Sequence, residues 1–158
     1  MTDLPATNRT MLTEVKPEGV LELYLADLPM PTPKDHEVVV KVLATPINPS
    51  DLGLMVGAAD VSSARAIDRD GLPGIAMNVP EAGMRFMAGR IGQALPIGNE
   101  GCGVVVAAGA APEAQALMGN TVALIGGEIY AQYRCLAAQM CMPLPEGTAP
   151  EDGASCFV

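Results

Sequence analysis

Apolar positions in this chain fall in short runs, cut so often by 14 Pro and 17 Gly that long helices are excluded from most of its length. The clearest run, Glu37 to Ala44 (EVVVKVLA), is rich in β-branched residues and follows the turn-like Pro-Thr-Pro-Lys-Asp at 31–35, so a strand is predicted there. Further strands are predicted at Leu21–Leu25, Val104–Ala107, Val122–Ile125 and Ile129–Leu136. Short strands joined by Gly/Pro turns, with no alternation of strand and long helix, argue for a barrel or sandwich over a parallel sheet. Residues 58–95 differ: β-branched residues are few, charges are scattered, and Glu81 to Gly92 has the pattern of a modest amphipathic helix. This stretch reads as an insertion carried on the barrel. Near the end, Thr148-Ala-Pro-Glu151 matches a capping box with Pro150 in the tolerated first turn, so a helix should begin there. A well-capped helix with so few residues after it is marginal alone. It reads either as a frayed tail or as the start of a helix leading out of this domain.

Composition narrows the function classes. At 158 residues, 49% hydrophobic and 17% charged, the chain fits one domain with a real core. With two Phe, three Tyr and no Trp it lacks stacking platforms for bases, and its nine Lys and Arg stand singly against a net charge of −9. Nucleic acid is therefore not an expected partner. No apolar run approaches the ~20 residues of a membrane span, and Met1 to Thr10 lack signal-peptide order, so a cytoplasmic protein without a membrane partner is expected. Cys102, Cys135, Cys141 and Cys156 form no Cys-x-x-Cys pair and read as free thiols. His36, the single histidine, sits in a charged turn, which leaves no Ser/His or Cys/His nucleophile to build. Asp68 and Asp70, in Asp-Arg-Asp-Gly-Leu-Pro, read as turn chemistry.

Two segments carry a specific signal: Pro46-Ile-Asn48-Pro49-Ser50-Asp51 after the long strand, and Gly98-Asn99-Glu100-Gly101-Cys102-Gly103 running into Val-Val-Val-Ala-Ala-Gly109. Together with Gly119-Asn-Thr121-Val-Ala-Leu, Tyr130-Ala-Gln-Tyr133 and Pro143-Leu-Pro-Glu-Gly147, in that order, the chain resembles the catalytic barrel of medium-chain dehydrogenases/reductases, in the zinc-free quinone-oxidoreductase and enoyl-reductase branch. The resemblance implies a mainly β, GroES-like, partly open barrel with short helices and an inserted segment. Residues 1–147 would form it, and 148–158 would start the helix leading to an absent Rossmann domain.

Zinc-dependent relatives have a Cys in the place of Asn48 and a His in the place of Asn99. A neutral amide is a poor substitute for either ligand, so no metal site is expected. Leu124 also runs through Gly126-Gly127 straight to Ile129, which leaves no room for a cysteine-rich structural-zinc lobe. Each residue has a plainer reading beside this one. Asn48 and Pro49 make a good helix cap and first position, with Asp51 in the first turn. Asn99 and Glu100 could be simple turn residues. The Gly-Asn-Glu-Gly-Cys-Gly run opens a strand without Gly-x-Gly-x-x-Gly spacing, which argues against a phosphate loop.

By resemblance, the activity would be hydride transfer from NAD(P)H to a quinone, enone or related carbonyl compound, with the cofactor bound mainly by the absent domain. Asn48 would contact the nicotinamide end of the cofactor, Asp51 would support it, and Asn99 with Glu100 would line the same floor. Partners would be a small-molecule substrate, the Rossmann domain, and a second subunit in a homodimer. Many relatives place a Tyr shortly after the Asn-Pro-x-Asp motif; here the stretch is Leu52-Gly53-Leu54-Met55, so no proton donor is named. Competing readings are a non-enzymatic GroES-like interaction module and a zinc-type alcohol dehydrogenase domain. The fragment alone is expected to be inactive.

Overall fold

The computed structural model describes residues 4–157; Met1–Asp3 and Val158, the outer ends of the expected domain and exit helix, lie outside the described residues. Among the described residues, ten strands and four short α-helices follow in order: β1 (Thr7–Lys16), β2 (Val20–Pro29), β3 (Glu37–Ala44), α1 (Pro49–Met55), β4 (Asp60–Arg69), β5 (Leu72–Asn78), α2 (Glu81–Phe86), β6 (Ala94–Pro96), β7 (Glu100–Ala108), α3 (Pro112–Gln115), β8 (Thr121–Ile125), β9 (Tyr133–Ala137), β10 (Cys141–Pro143) and α4 (Pro150–Ala154). The strands form two five-stranded sheets, ordered β4-β5-β2-β1-β6 and β10-β8-β7-β3-β9, and neither closes on itself. The mainly β content is what the strand pattern predicts, and the two unclosed sheets agree with the partly open barrel that the resemblance implies.

The chain divides into two compact units, one holding residues 1–9, 27–46 and 98–158, the other 10–26 and 47–97. In the first unit, β3 pairs antiparallel with both β7 and β9, so its β-branched run is covered on both edges. Val38 and Val40 are fully buried in a cluster with Val105, Val122, Leu124, Ile129 and Leu136, and α3 and the turn after it add Ala114 and Leu117. Burial of each such side chain contributes on the order of 1.5–3 kcal/mol before entropy. Ile129, expected in a strand, is buried in the loop before β9, which begins only at Tyr133.

In the second unit, residues 58–95 furnish β4, β5 and most of β6 of its sheet. A two-residue turn joins β4 to β5, with Asp70 and Gly71 both at positive φ (55° and 81°), the combination that two-residue hairpins favour. The Gly71 N–H donates to the Asp68 carboxylate at 2.9 Å, so Asp68, at the end of β4, braces with its side chain the turn that Asp70 makes. The helix predicted over 81–92 ends at Phe86 and continues only as a single tight turn at Ala88–Arg90. The interspersed glycines Gly83 and Gly89 weaken a longer helix. At the other end of the chain, α4 begins at Pro150 as predicted, but Ala149 occupies its cap. The Thr148 hydroxyl donates instead to the Pro145 carbonyl at 2.8 Å, so the expected capping box does not form.

Candidate functional site

The second unit carries Asn48 and Asp51. Asn48 is extended (φ −93°, ψ 158°) and caps α1, with Pro49 at the first helical position, where its missing N–H costs nothing. The backbone N–H of Asn48 donates to Asp51 Oδ2 at 2.8 Å, the return half of a capping box. Asp51 is only 2% exposed, and its other oxygen, Oδ1, is buried without a hydrogen-bond partner. The capping reading and a ligand-facing role for the Asn48 amide remain compatible, because the cap fixes the backbone and leaves the amide half-buried.

The far end of α1 is held by two residues that sequence reasoning missed. Arg90 Nη2 donates to the Leu54 carbonyl at 2.8 Å and to Thr13 Oγ1 at 3.0 Å. Thr13 in turn donates to the Met55 carbonyl at 3.3 Å. A guanidinium at a helix C-terminus also meets the negative end of the helix dipole. Burial pushes the Arg90 pKa down, and its Nε has no partner. No local sequence pattern announces this clamp, because its parts come from β1, α1 and the turn at 88–90.

The first unit carries Asn99 and Glu100. Gly98 takes φ 98°, and a side chain there would strike the Tyr130 ring and backbone. The Ile129 N–H donates to the Gly98 carbonyl at 3.2 Å, and Gly126 N–H donates to the Asn99 carbonyl at 3.2 Å. The backbone around Asn99 is thus clasped by the 126–130 loop, while its side chain is half-buried. Tyr130 is anchored in turn through its hydroxyl, which donates to the Pro46 carbonyl at 2.8 Å. Glu100 opens β7 opposite Ile125 and is 1% exposed; its Oε2 accepts from the Phe157 N–H at 3.3 Å.

The remaining glycines of the run serve packing. A Cβ on Gly101 would press on the Ala44 carbonyl and Thr45, and one on Gly103 would run into the Lys41 carbonyl. The run therefore opens a close-packed strand, with no helix after it to hold a phosphate. His36 is exposed, and the four cysteines are free thiols. Among the described residues no group of three His, Cys, Asp or Glu stands close enough to hold a metal ion. Asn48 and Asn99 each carry a neutral amide, a poor ligand for Zn²⁺. No helix among the described residues is long and apolar enough to cross a membrane.

No family model matches the chain, and no curated protein matches it. Solved structures do. A candidate NADPH:quinone reductase from Mesorhizobium loti is 24% identical with a TM-score of 0.65, over 99% of this chain and 42% of that one. The quinone oxidoreductase from Coxiella burnetii is 17% identical, TM-score 0.60, over 93% of this chain and 40% of that one. A candidate zinc-binding dehydrogenase from Clostridium scindens is 16% identical, TM-score 0.62, over 94% and 44%. At these identities the likeness defines the fold: a GroES-like domain of the kind these oxidoreductases carry. The chain spans about two-fifths of the length of these neighbours.

Proposed function

We propose that the chain is the barrel domain of a zinc-independent, NAD(P)H-dependent oxidoreductase of the medium-chain dehydrogenase/reductase type, acting on a quinone, enone or related carbonyl compound. The observation that carries the reading is the Asn48 cap within this fold. A neutral side-chain amide, on a residue whose backbone N–H donates to Asp51 Oδ2 at 2.8 Å, stands where the resemblance puts a zinc thiolate in the metal-dependent branch. An amide offers both a donor and an acceptor, which suits a nicotinamide carboxamide or a ribose hydroxyl. When bound, NAD(P)H supplies the hydride, and this domain contributes orientation and the exclusion of water.

In this reading Asn48 addresses the nicotinamide end, Asp51 holds the Asn48 backbone, Asn99 is a further substrate-side residue, and Glu100, 1% exposed, acts from beneath the surface. A Rossmann domain joined after α4 binds the pyrophosphate, and the working form is a cytoplasmic homodimer of two-domain subunits. The interaction-module alternative has no observation in its favour. The test grafts this chain onto the nucleotide-binding domain of the Mesorhizobium loti protein in place of that protein's own barrel. Quinone-dependent NADPH oxidation that survives a zinc chelator is expected. A graft that binds NADPH yet oxidises none with quinones or enones overturns the reading.

A further inference from the structure

We propose that Cys156 and Cys102 form a peroxide-responsive pair, in which the exposed thiol of Cys156 takes the oxidant and the buried thiol of Cys102 closes a disulfide onto it. The argument starts from α4, which packs on β7. The contact is close because residue 153 is glycine: a Cβ there would lie 2.8 Å from the Cys102 sulfur. Cys156 is three residues further on, two beyond the end of α4. Its thiol donates to the Asp152 carbonyl at 3.5 Å, which folds the side chain back onto the last turn of α4. On the strand side, Glu100 and Cys102 alternate onto one face of β7. The residue after Cys156, Phe157, donates its N–H to the Glu100 carboxylate at 3.3 Å.

Cys156 is thereby bracketed by two contacts, Gly153 on Cys102 and Phe157 on Glu100, both to the same face of the same strand. Burial pushes the Cys102 thiol up, and nearby Cys156 adds to that, in keeping with the proximity. The other two thiols have no such neighbour: Cys135 lies 3.6 Å from the Glu37 carboxylate, and Cys141 is buried on β10.

The chemistry balances with a peroxide as oxidant. The Cys156 thiolate attacks a peroxide oxygen; an S–O bond forms, the O–O bond breaks, and the hydroxide released takes up the proton that the thiol gave up, leaving a sulfenic acid and water. Cys102 then attacks that sulfur; the S–S bond forms, the S–O bond breaks, and hydroxide leaves with the Cys102 proton as a second water. The two sulfurs give up two electrons, and the chain loses two hydrogens. The bond ties the end of α4 to β7 two residues from Glu100.

The experiment uses the reduced 158-residue chain, dosed with hydrogen peroxide and mapped by non-reducing peptide mass spectrometry. The expected product is an intramolecular Cys102–Cys156 peptide pair, with Cys135 and Cys141 still alkylated after denaturation. In Cys102→Ser, the Cys156 sulfenic acid should persist, and its labelling by dimedone should rise by about tenfold over the unsubstituted chain. Two results would each overturn the proposal. One is oxidation of Cys156 to sulfinic acid in the unsubstituted chain while Cys102 stays free; the other is a disulfide from Cys156 to a second chain. The mapping of the unsubstituted chain decides the matter even if Cys102→Ser fails to fold.

Discussion

Asp51 and Asn48 are joined across the first turn of α1 by a 2.8 Å hydrogen bond from the Asn48 N–H to the Asp51 carboxylate. Asp51→Ala removes the acceptor for a helix-entry N–H and should lower stability by about 1 kcal/mol. The loss stays modest because Oδ1 is buried without a partner, and removing an unsatisfied oxygen offsets part of the cost. Urea denaturation of the two chains checks it, with an unchanged m-value expected.

Arg90 is the larger element of the same support. Arg90→Met keeps much of the stem but removes the donor to Leu54 and Thr13, with an expected cost of about 2 kcal/mol from charged hydrogen bonds lost in a partly buried place. Hydrogen exchange should show α1 losing protection ahead of β3. Equal protection of α1 in both chains would show that the clamp does not hold the helix.

Gly103 tests the close approach of β7 to β3. Gly103→Ala drives a Cβ into the Lys41 backbone carbonyl, a contact between two backbones that no rotamer relieves. A loss of more than about 3 kcal/mol, or failure to fold, is expected. Gly71→Ala is the contrast: its φ of 81° is strained for alanine but nothing crowds the site, so about 1 kcal/mol is expected.

Burial pushes Cys141 up to about 11, and burial followed by the Glu37 carboxylate does the same for Cys135. In the unfolded chain these thiols ionise near their ordinary value of 9, while in the folded chain they stay protonated to about 11. The unfolded state therefore binds fewer protons in that window, so stability falls as pH rises from 9 to about 11. The contribution is fully present below pH 9. Denaturation followed across this range should show the decline, and Cys135→Ser with Cys141→Ala should flatten it.

What could be read in advance was what is encoded locally. β3 announces itself because its β-branched run is an interior strand of its sheet, paired on both edges. The Asn48-Pro49-Asp51 cap is legible because all its parts lie within one turn. β1 was hidden because Asn8, Thr10 and Thr13 are buried polar residues where an alternating pattern would lead one to expect apolar ones. β4 and β5 were obscured by exposed charge, although Asp70-Gly71 between them was a usable hairpin signal. The Arg90 clamp joins residues 36 and 77 positions apart, and Glu100 finds Phe157 across 57. Contacts of that range leave no trace in a local pattern.

The central claim is that this domain serves hydride transfer from a nicotinamide cofactor, and isotope transfer tests it most directly. The chain, joined to a nucleotide-binding domain as above, is given NADPH deuterated at the transferring C4 position and an α,β-unsaturated ketone. Mass spectrometry then locates the label. The account predicts one deuterium on the product carbon β to the carbonyl, delivered directly from the cofactor. Reduced product that carries no deuterium, or no reduced product from a graft that binds NADPH, would contradict it.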